Sequence, residues 1–562
     1  MRIKNVLVIL CICFSFVFSG CELLMDILGG GSQEEAFTEK VIDSSMIKPN
    51  TDVYLVKLNT SYELIKGKKT GYATRTVDDF IQTNEKDTDS FIRDLNNAIN
   101  EGMQNATNDA SRAAFDGSEI SYGYNQLSYS IGKTRKIYTY TSTEKSNISE
   151  KITGICKYAG KHCYVFADEN NSKLKNKGIN LSDDAYYNLG VKFDSCYELE
   201  TKINGDPFYT KYNRKWFVPC NDKIIILVSD LFGDAVENQQ SGTLGYFYQG
   251  DMYNQEYLDQ NKGQFGGTIN SNECEMFYID AAFLSNSPDM VYSTLVHEFN
   301  HMINYIIKTV NYMTDNPKNK WQSPSVWYTE MLSMTTEDMF QSYLKIKDED
   351  SPKGRLPYFN LYYNYGFNCW DNSSIPDYIA YANTYAFGAF LVRNFGGINL
   401  LKEIAQNSYI DKDSITEALK KYNPDYTYTD KNGNKITITY DFDFAMRQFA
   451  FCLFNTDKPT SEQLAKTNLD KYYSFYRGTD ENRGDGLKFT PIDINSIQCE
   501  YEENGVNKTT TIKPKIYQKT EGVDLGSFGF SVHYIGYNVD EFTLYASKNT
   551  ELEYYLVQLE KE

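Results

Sequence analysis

The sequence predicts an α+β protein: a mixed sheet and then a helical half in the middle of the chain, with β-rich segments before and after. Three observations lead there. Short runs rich in β-branched and aromatic residues cluster before residue 280, the most apolar being Lys223-Ile-Ile-Ile-Leu-Val-Ser229, which has the length and branching of a buried strand. Two long segments then open with a helix-start pattern, Ser287-Pro288-Asp289 and Ser323-Pro324, a capping hydroxyl followed by a proline at the first helical position. From about residue 473 the texture returns to alternation, punctuated by Asn504-Gly505, a strong hairpin turn.

Composition bounds the rest. The chain has 562 residues, 41% of them hydrophobic, ample for buried cores and for roughly three or four domains. The 47 tyrosines and 33 phenylalanines suit strand-rich segments. A net charge of -19 argues against nucleic acid or an anionic membrane surface as a partner, because such partners are held by basic patches.

The first residues read as an export signal. Arg2 and Lys4 precede an apolar run at 6–18, too short to span a membrane as a helix. The following Phe18-Ser19-Gly20-Cys21 resembles the end of a bacterial lipoprotein signal, with phenylalanine where that pattern has leucine. The resemblance implies lipidation of Cys21 and a chain anchored in the cell envelope; cleavage without lipid would leave it secreted. The domain scheme that follows is a signal at 1–20, a Gly/Ser-containing tether at 21–45, an N-terminal β-rich region at 46–148, a central domain at 149–470 and a C-terminal β-sandwich-like domain at 471–562.

In chain order, 52–58, 72–76 and 136–141 read as strands of the N-terminal region, with a polar helix from about 89 to 105 between them that shows no evident chemistry. Residues 150–158 and 163–167 form a hairpin pattern, 183–191 a helix, and 223–229, 244–248 and 275–280 further strands. Beyond the second capped segment, helices are expected at 399–405, 414–422 and 442–454, with an Asn432-Gly433 hairpin inserted, then strands at 528–537 and 541–546. Eight cysteines lie beyond Cys21; of these, Cys156 and Cys163 are near enough in sequence to suggest a hairpin disulfide, and none has paired metal-binding spacing.

The segment opened by Ser287 holds the chemistry. It contains His297-Glu298-Phe299-Asn300-His301, two of the chain's four histidines in five residues. On a helix, residues four apart share a face, so both imidazoles can reach one metal ion, and Glu298 projects beside them where it can take a proton from water. Val291, Leu295, Phe299, Met302 and Ile306 recur at helical spacing as an apolar stripe, and His297, His301 and Asn304 fall off it. A catalytic zinc takes three protein ligands, and Glu330, in Trp327-Tyr-Thr-Glu330-Met-Leu-Ser333 of the second capped segment, is the natural third. The other two histidines, His162 and His533, lie beside a cysteine and in an alternating strand, and read as structural.

These two segments resemble the gluzincin zinc metallopeptidases, and most closely the bacterial hyicolysin-like family, over roughly residues 155–410. The resemblance implies a thermolysin-like zincin domain at 149–470, one zinc ion held by His297, His301 and Glu330, Glu298 as general base, and protein or peptide substrates. Thermolysin-like relatives carry an aspartate four residues after the glutamate ligand, where this chain has Met334; Glu337 or Asp338 is then the acid available to orient an imidazole. Tyr385-Ala-Phe-Gly388-Ala389 resembles the segment that supplies a transition-state tyrosine, with Tyr381 the nearest competitor. Two other readings of the same residues are a lipid-anchored binding or adhesion protein with a structural zinc site, and a zinc hydrolase acting on a non-peptide bond. The strand at 276–280 is expected to present the edge on which an extended peptide pairs.

Overall fold

The computed structural model describes residues 7–10, 37–64, 89–108, 118–142, 147–170, 172–237, 242–316, 319–370, 375–429, 433–454, 473–503, 506–519, 521–547, 549 and 551–560. Cys21, the expected strand at 72–76 and the turn residues Asn432, Asn504 and Gly505 lie outside them. The chain is a mixture of helices and sheets, as an α+β reading requires.

The principal strands and helices are β1 (Phe37–Ile42), β2 (Thr51–Asn59), α1 (Asp89–Asn108), β3 (Thr134–Ser142), β4 (Asn147–Ala159), β5 (Cys163–Asp168), α2 (Asp183–Asn204), β6 (Ile224–Ser229), β7 (Gly245–Phe247), β8 (Met276–Asp280), α3 (Pro288–Tyr305), α4 (Val326–Leu344), α5 (Asp377–Phe395), α6 (Gly397–Gln406), α7 (Asp411–Tyr422), α8 (Phe442–Phe451), β9 (Ile497–Glu503), β10 (Val506–Ile512), β11 (Tyr517–Gln518), β12 (Phe530–Tyr537), β13 (Phe542–Ser547) and β14 (Leu552–Glu560).

A six-stranded mixed sheet in the order β7-β8-β6-β5-β4-β3 carries the middle of the molecule. Strands β8, β6 and β5 run parallel, and β7 pairs antiparallel with β8 at one edge. Every residue of β6 is buried, which is why it reads as an unbroken apolar run rather than an alternating one. Helix α2 covers this sheet; Ser182 caps it through the Ala185 amide, and Phe193 packs on Phe277 of the sheet and Phe299 of α3.

Two expectations about the sheet are corrected. Strand β8 is interior, flanked by β7 and β6, so the edge is β7 instead. Chain order suggested otherwise because the strand that closes the sheet precedes β8 in sequence and doubles back beside it. Cys156 and Cys163 are free buried thiols: Cys156 pairs in register with Phe166 across the hairpin, and its Sγ meets the Tyr158 carbonyl.

Strands from the two chain ends join each other and the middle of the molecule. Strand β3, from the expected N-terminal region, is the outer strand of the central sheet. Strand β2 sits between β14 and β12 in one sheet, with β11 beyond β12 and residues 7–10 beyond β14, while β1 pairs with β13. Val56 and Leu58 of β2, Phe530 of β12 and Val557 of β14 enter the same core as Trp327, Phe387 and Phe449 of the helical half. Alternation marked β2, β3, β12 and β13, whereas β1 falls inside the stretch expected to be a tether and β14 lies beyond the expected strands; alternation carries no information about which distant strand becomes a neighbour.

Strand β8 leads directly into the motif helix. Asp280 ends the strand and caps the short helix Ala281–Asn286 by accepting from Ala282 and Phe283. Pro288 then starts α3, whose Val291, Leu295, Phe299 and Met302 are buried as the apolar stripe predicts. Past Tyr305 the helix widens into a π-helical stretch, Ile306–Asn311. Inside it Lys308 is buried, and its ammonium donates to the carbonyls of Ile404, Asn407 and Tyr409 at the end of α6. Burial pulls the Lys308 pKa down to about 7, yet the carbonyl cage fixes the far end of α3 against the helical half.

Because β2 and the helices share one core, Leu58→Ala should destabilise the helical half itself, by about 2–5 kcal/mol. The check is denaturant unfolding followed by tryptophan fluorescence and far-UV circular dichroism. A shift confined to a separate minor transition would instead mark the terminal strands as an independent unit.

Candidate active site and metal centre

Helices α3 and α4 pack side by side and bring the site together. Glu330, Ser333 and Glu337 recur along one face of α4, opposite His297, His301 and Asn300 of α3. Ser333 donates to the Asn300 side-chain oxygen at 3.1 Å and locks the register between the helices.

That register sets three donor atoms on one point. The His297 and His301 Nε2 atoms are 2.9 Å apart, His297 Nε2 is 3.3 Å from Glu330 Oε2, and His301 Nε2 is 3.4 Å from Glu330 Oε1. Burial alone would raise the Glu330 pKa, but the facing imidazoles of His301 and His297 outweigh it and hold the carboxyl well below its usual range. Burial likewise pulls the His297 pKa down, and Glu337 and Glu330 reverse the sign, leaving it well above the ordinary value. The pocket therefore asks for positive charge.

The donor set fits a metal ion. Glu337 Oε1 lies 2.7 Å from His297 Nδ1, so the proton that bonds to Glu337 sits on Nδ1 and the Nε2 lone pair faces the cluster. Two Nε2 atoms 2.9 Å apart share either a proton or a cation, and a metal ion would accept both lone pairs. Glu330 Oε2 is buried without a hydrogen bond among the described residues, which a metal bond would satisfy. Two imidazole nitrogens and one carboxylate are the donor types that a catalytic zinc takes from a protein, its fourth position being left to water. Glu337 is itself held by Ser293, whose hydroxyl donates to its second oxygen at 2.5 Å.

Of the two acids considered for orienting an imidazole, the structure therefore puts Glu337 on His297 and Asp338 elsewhere. One residue further along the helix is about 100° around it, and Asp338 points into the core. There it takes both guanidinium nitrogens of Arg393, at 2.7 and 3.1 Å, with both side chains fully buried. Tyr385 lies beside this pair. Its hydroxyl donates to Asp338 at 3.0 Å, burial and that carboxylate raise its pKa far above the usual phenol value, and it is not among the residues lining the cleft. Tyr381, one turn earlier on α5, does line the cleft, packed edge-on against Trp370 with the Arg355 guanidinium 4.8 Å above its ring. A sequence match to a short segment cannot separate two tyrosines four residues apart, since both lie on one side of the helix.

Glu298 is 5% exposed and lines the cleft next to the donor cluster. Asn304 lines it as well, with both amide atoms buried and lacking a hydrogen bond among the described residues. The opposite walls are Gly245 and Phe247 of β7 and Arg93, Asn96, Asn97 and Asn100 of α1. The α1 residues escaped the sequence reading; the one available signal was their i, i+3, i+4, i+7 spacing, which polar helices show without any function. His533 meets Ser531 inside a sheet, and His162 stacks on Tyr197, so both are structural.

A second trio of carboxylates, Asp230, Asp234 and Asp280, gathers at the ends of β6 and β8. Lys177 and the backbone amides of Leu231 and Ala235 already engage it.

No family model matches the chain. Over 308 residues it is 28% identical to the neutral metalloprotease ShpI of Staphylococcus hyicus, a stretch that takes in 52% of this chain and 60% of that protein. The chain thus spans less than two thirds of that relative's length, and the similarity supports a relationship to metallopeptidases.

Two outcomes follow from the geometry. Replacing His297 with alanine should abolish tight zinc binding, and Glu337→Gln should weaken it about 10–100-fold, read by competition with a chromophoric chelator. Asp338→Ala leaves Arg393 buried and unpaired, so it should cost about 3–5 kcal/mol in denaturant unfolding while zinc affinity holds.

Proposed function

We propose that the protein is a zinc-dependent peptidase of the gluzincin type, with a zincin arrangement built on α3 and α4. The observation that carries this reading is the convergence of His297, His301 and Glu330 on one point, with the carboxylate of Glu298 beside them in an open cleft. The similarity to a neutral metalloprotease supports it. His297, His301 and Glu330 hold the ion. When bound, zinc acts as a Lewis acid on the scissile carbonyl and acidifies water.

The chain's own groups do the rest. Glu298, next in sequence to one ligand and on the cleft side of α3, accepts a proton from the attacking water and passes it to the leaving amine. Glu337, held by Ser293, keeps His297 in the tautomer that presents Nε2 and makes that nitrogen a better donor. Tyr381 takes the role first expected of Tyr385: a phenol in the cleft donates to the oxyanion as the carbonyl carbon becomes tetrahedral. A structural metal site needs no base at the Glu298 position, and a peptidase does.

Export places the enzyme in the cell envelope, held by lipid on Cys21 or released. Among the described residues no helix is long and apolar enough to cross a membrane.

The decisive measurement is cleavage of quenched peptides of several lengths by purified, zinc-loaded protein. Glu298→Gln should keep its zinc and lose about 10²–10⁴-fold in kcat. Chelation should abolish cleavage and added zinc restore it. A glutamine variant as active as the parent would reject the mechanism.

A further inference from the structure

Helix α1 lies across the mouth of the site. Ile92, Ile99 and Met103 are buried in the core of the sheet half, and Leu95 packs against it. The next face, Arg93, Asn96, Asn97 and Asn100, looks into the cleft. This face is attached to both walls. On the sheet side, the Asn96 amide donates to the Phe247 carbonyl at 3.3 Å, its side-chain oxygen accepts from the Gln249 amide at 3.2 Å, and Gln249 donates back to the Asn96 carbonyl at 2.7 Å. On the helical side, Arg93 pairs with Asp377 of α5 at 2.6 Å and lies 5.5 Å from the Trp370 ring. Asn100 accepts from the Trp321 indole at 3.3 Å.

The attachment to Phe247 falls on the free edge of the sheet. In an antiparallel pair, alternate residues turn their main-chain groups inward and outward. The Leu244 carbonyl accepts from Asp280, so Leu244 and Tyr246 face β8, while Gly245 and Phe247 face the cleft. Of these two outward residues, α1 has taken the carbonyl of Phe247. Among the described residues no side chain bonds the Gly245 main chain, and Gly245 sits beside the motif helix so closely that an added Cβ would fall 2.9 Å from Thr294 Cγ2. On the facing surface, Asn97 lines the cleft, and its side chain makes no hydrogen bond among the described residues.

We propose that α1 is a specificity wall, which stops an extended peptide from pairing along β7 past Gly245 and leaves the Asn97 amide to hold the substrate main chain. The inference rests on the peptidase reading above. The substrate class it assigns is a peptide that ends, or turns away, within about two residues of the scissile bond on the α1 side, and continues freely on the other. In this arrangement a long unfolded chain is a poor substrate except near one of its ends.

The test uses the full-length zinc-loaded protein and quenched peptides lengthened one residue at a time on either side of one cleavable bond. The parent should gain kcat/KM with length on one side only, and reach a plateau within about two residues on the other. Removing the Arg93 and Asn96 side-chain attachments, Arg93→Ala with Asn96→Ala, should lift the plateau and raise kcat/KM for long relative to short peptides about tenfold, roughly what one or two recovered main-chain hydrogen bonds supply. Asn97→Ala, which breaks no bond in the fold, should raise KM for short peptides several-fold with kcat held. Circular dichroism and zinc content report whether each variant is folded and loaded.

Equal gains on both sides in the parent, or an unchanged length profile in the double variant, would overturn the wall and leave the peptidase standing. A folded, zinc-loaded parent that cleaves no peptide of any length would overturn the peptidase reading itself.

Discussion

The site depends on a charge imbalance at the seam between two helices. Glu298, Glu330 and Glu337 bring three carboxylates against two imidazoles where little water reaches. Anions so placed repel one another strongly, because the low local dielectric weakens the interaction far less than bulk water does. A proton on His297 relieves part of it, which is what its raised pKa expresses. A divalent cation relieves more, and it does so at the point the three donor atoms already share. Metal affinity and the packing of α3 on α4 are thus one property of the seam.

Such a seam opens unless the helices are fixed independently of it, and three buried polar devices outside the site do this. Ser333 and Asn300 set the register one turn away from the ligands. Lys308, caged by carbonyls at the end of α6, secures the π-helical end of α3. The Asp338–Arg393 pair, with Tyr385 on its flank, ties α4 to α5 on the face away from the cleft. Each carries a desolvation cost that its hydrogen bonds must offset, and an apolar replacement of similar shape need not be less stable. What directional bonds add is a single allowed rotation of α4, the one that turns Glu330 and Glu337 toward the histidines and Asp338 away.

The sequence disclosed the parts of the site whose logic is local. The motif helix, its apolar stripe, the off-stripe position of His297 and His301, and the glutamate on the following helix all follow from periods of 3.6 and from caps, and the helix starts at Pro288 as read. Across the sheet, the fully buried β6 and the hairpin of β4 and β5 were equally visible. Relations between distant segments were not. Nothing in Thr51–Asn59 announces that it lies between strands from the other end of the chain, and nothing in a glutamate followed by an aspartate tells which one faces a histidine. The tyrosines divide likewise: Tyr381 and Tyr385 differ by one helical turn, and the distinction between cleft and core comes from where α5 meets α4.

Helix α1 marks the limit most clearly. Its polarity looked like solvent exposure, since an asparagine-rich face with no charge pattern is what an idle surface helix shows. The face is half-buried because a second apolar stripe, Ile92, Ile99 and Met103, anchors the helix to the sheet core and lays its polar side over the cleft rather than away from it. Asparagine suits that position. It donates and accepts at once, so Asn96 satisfies both the Phe247 carbonyl and the Gln249 amide, and it adds no charge to a cleft already rich in carboxylates. An aspartate in its place would repel the Phe247 carbonyl, and a lysine would compete for the carboxylates that the metal site requires. With Arg93 paired to Asp377, the neutral asparagines that hid α1 in the sequence are therefore what lets it border a carboxylate-rich cluster without disturbing it.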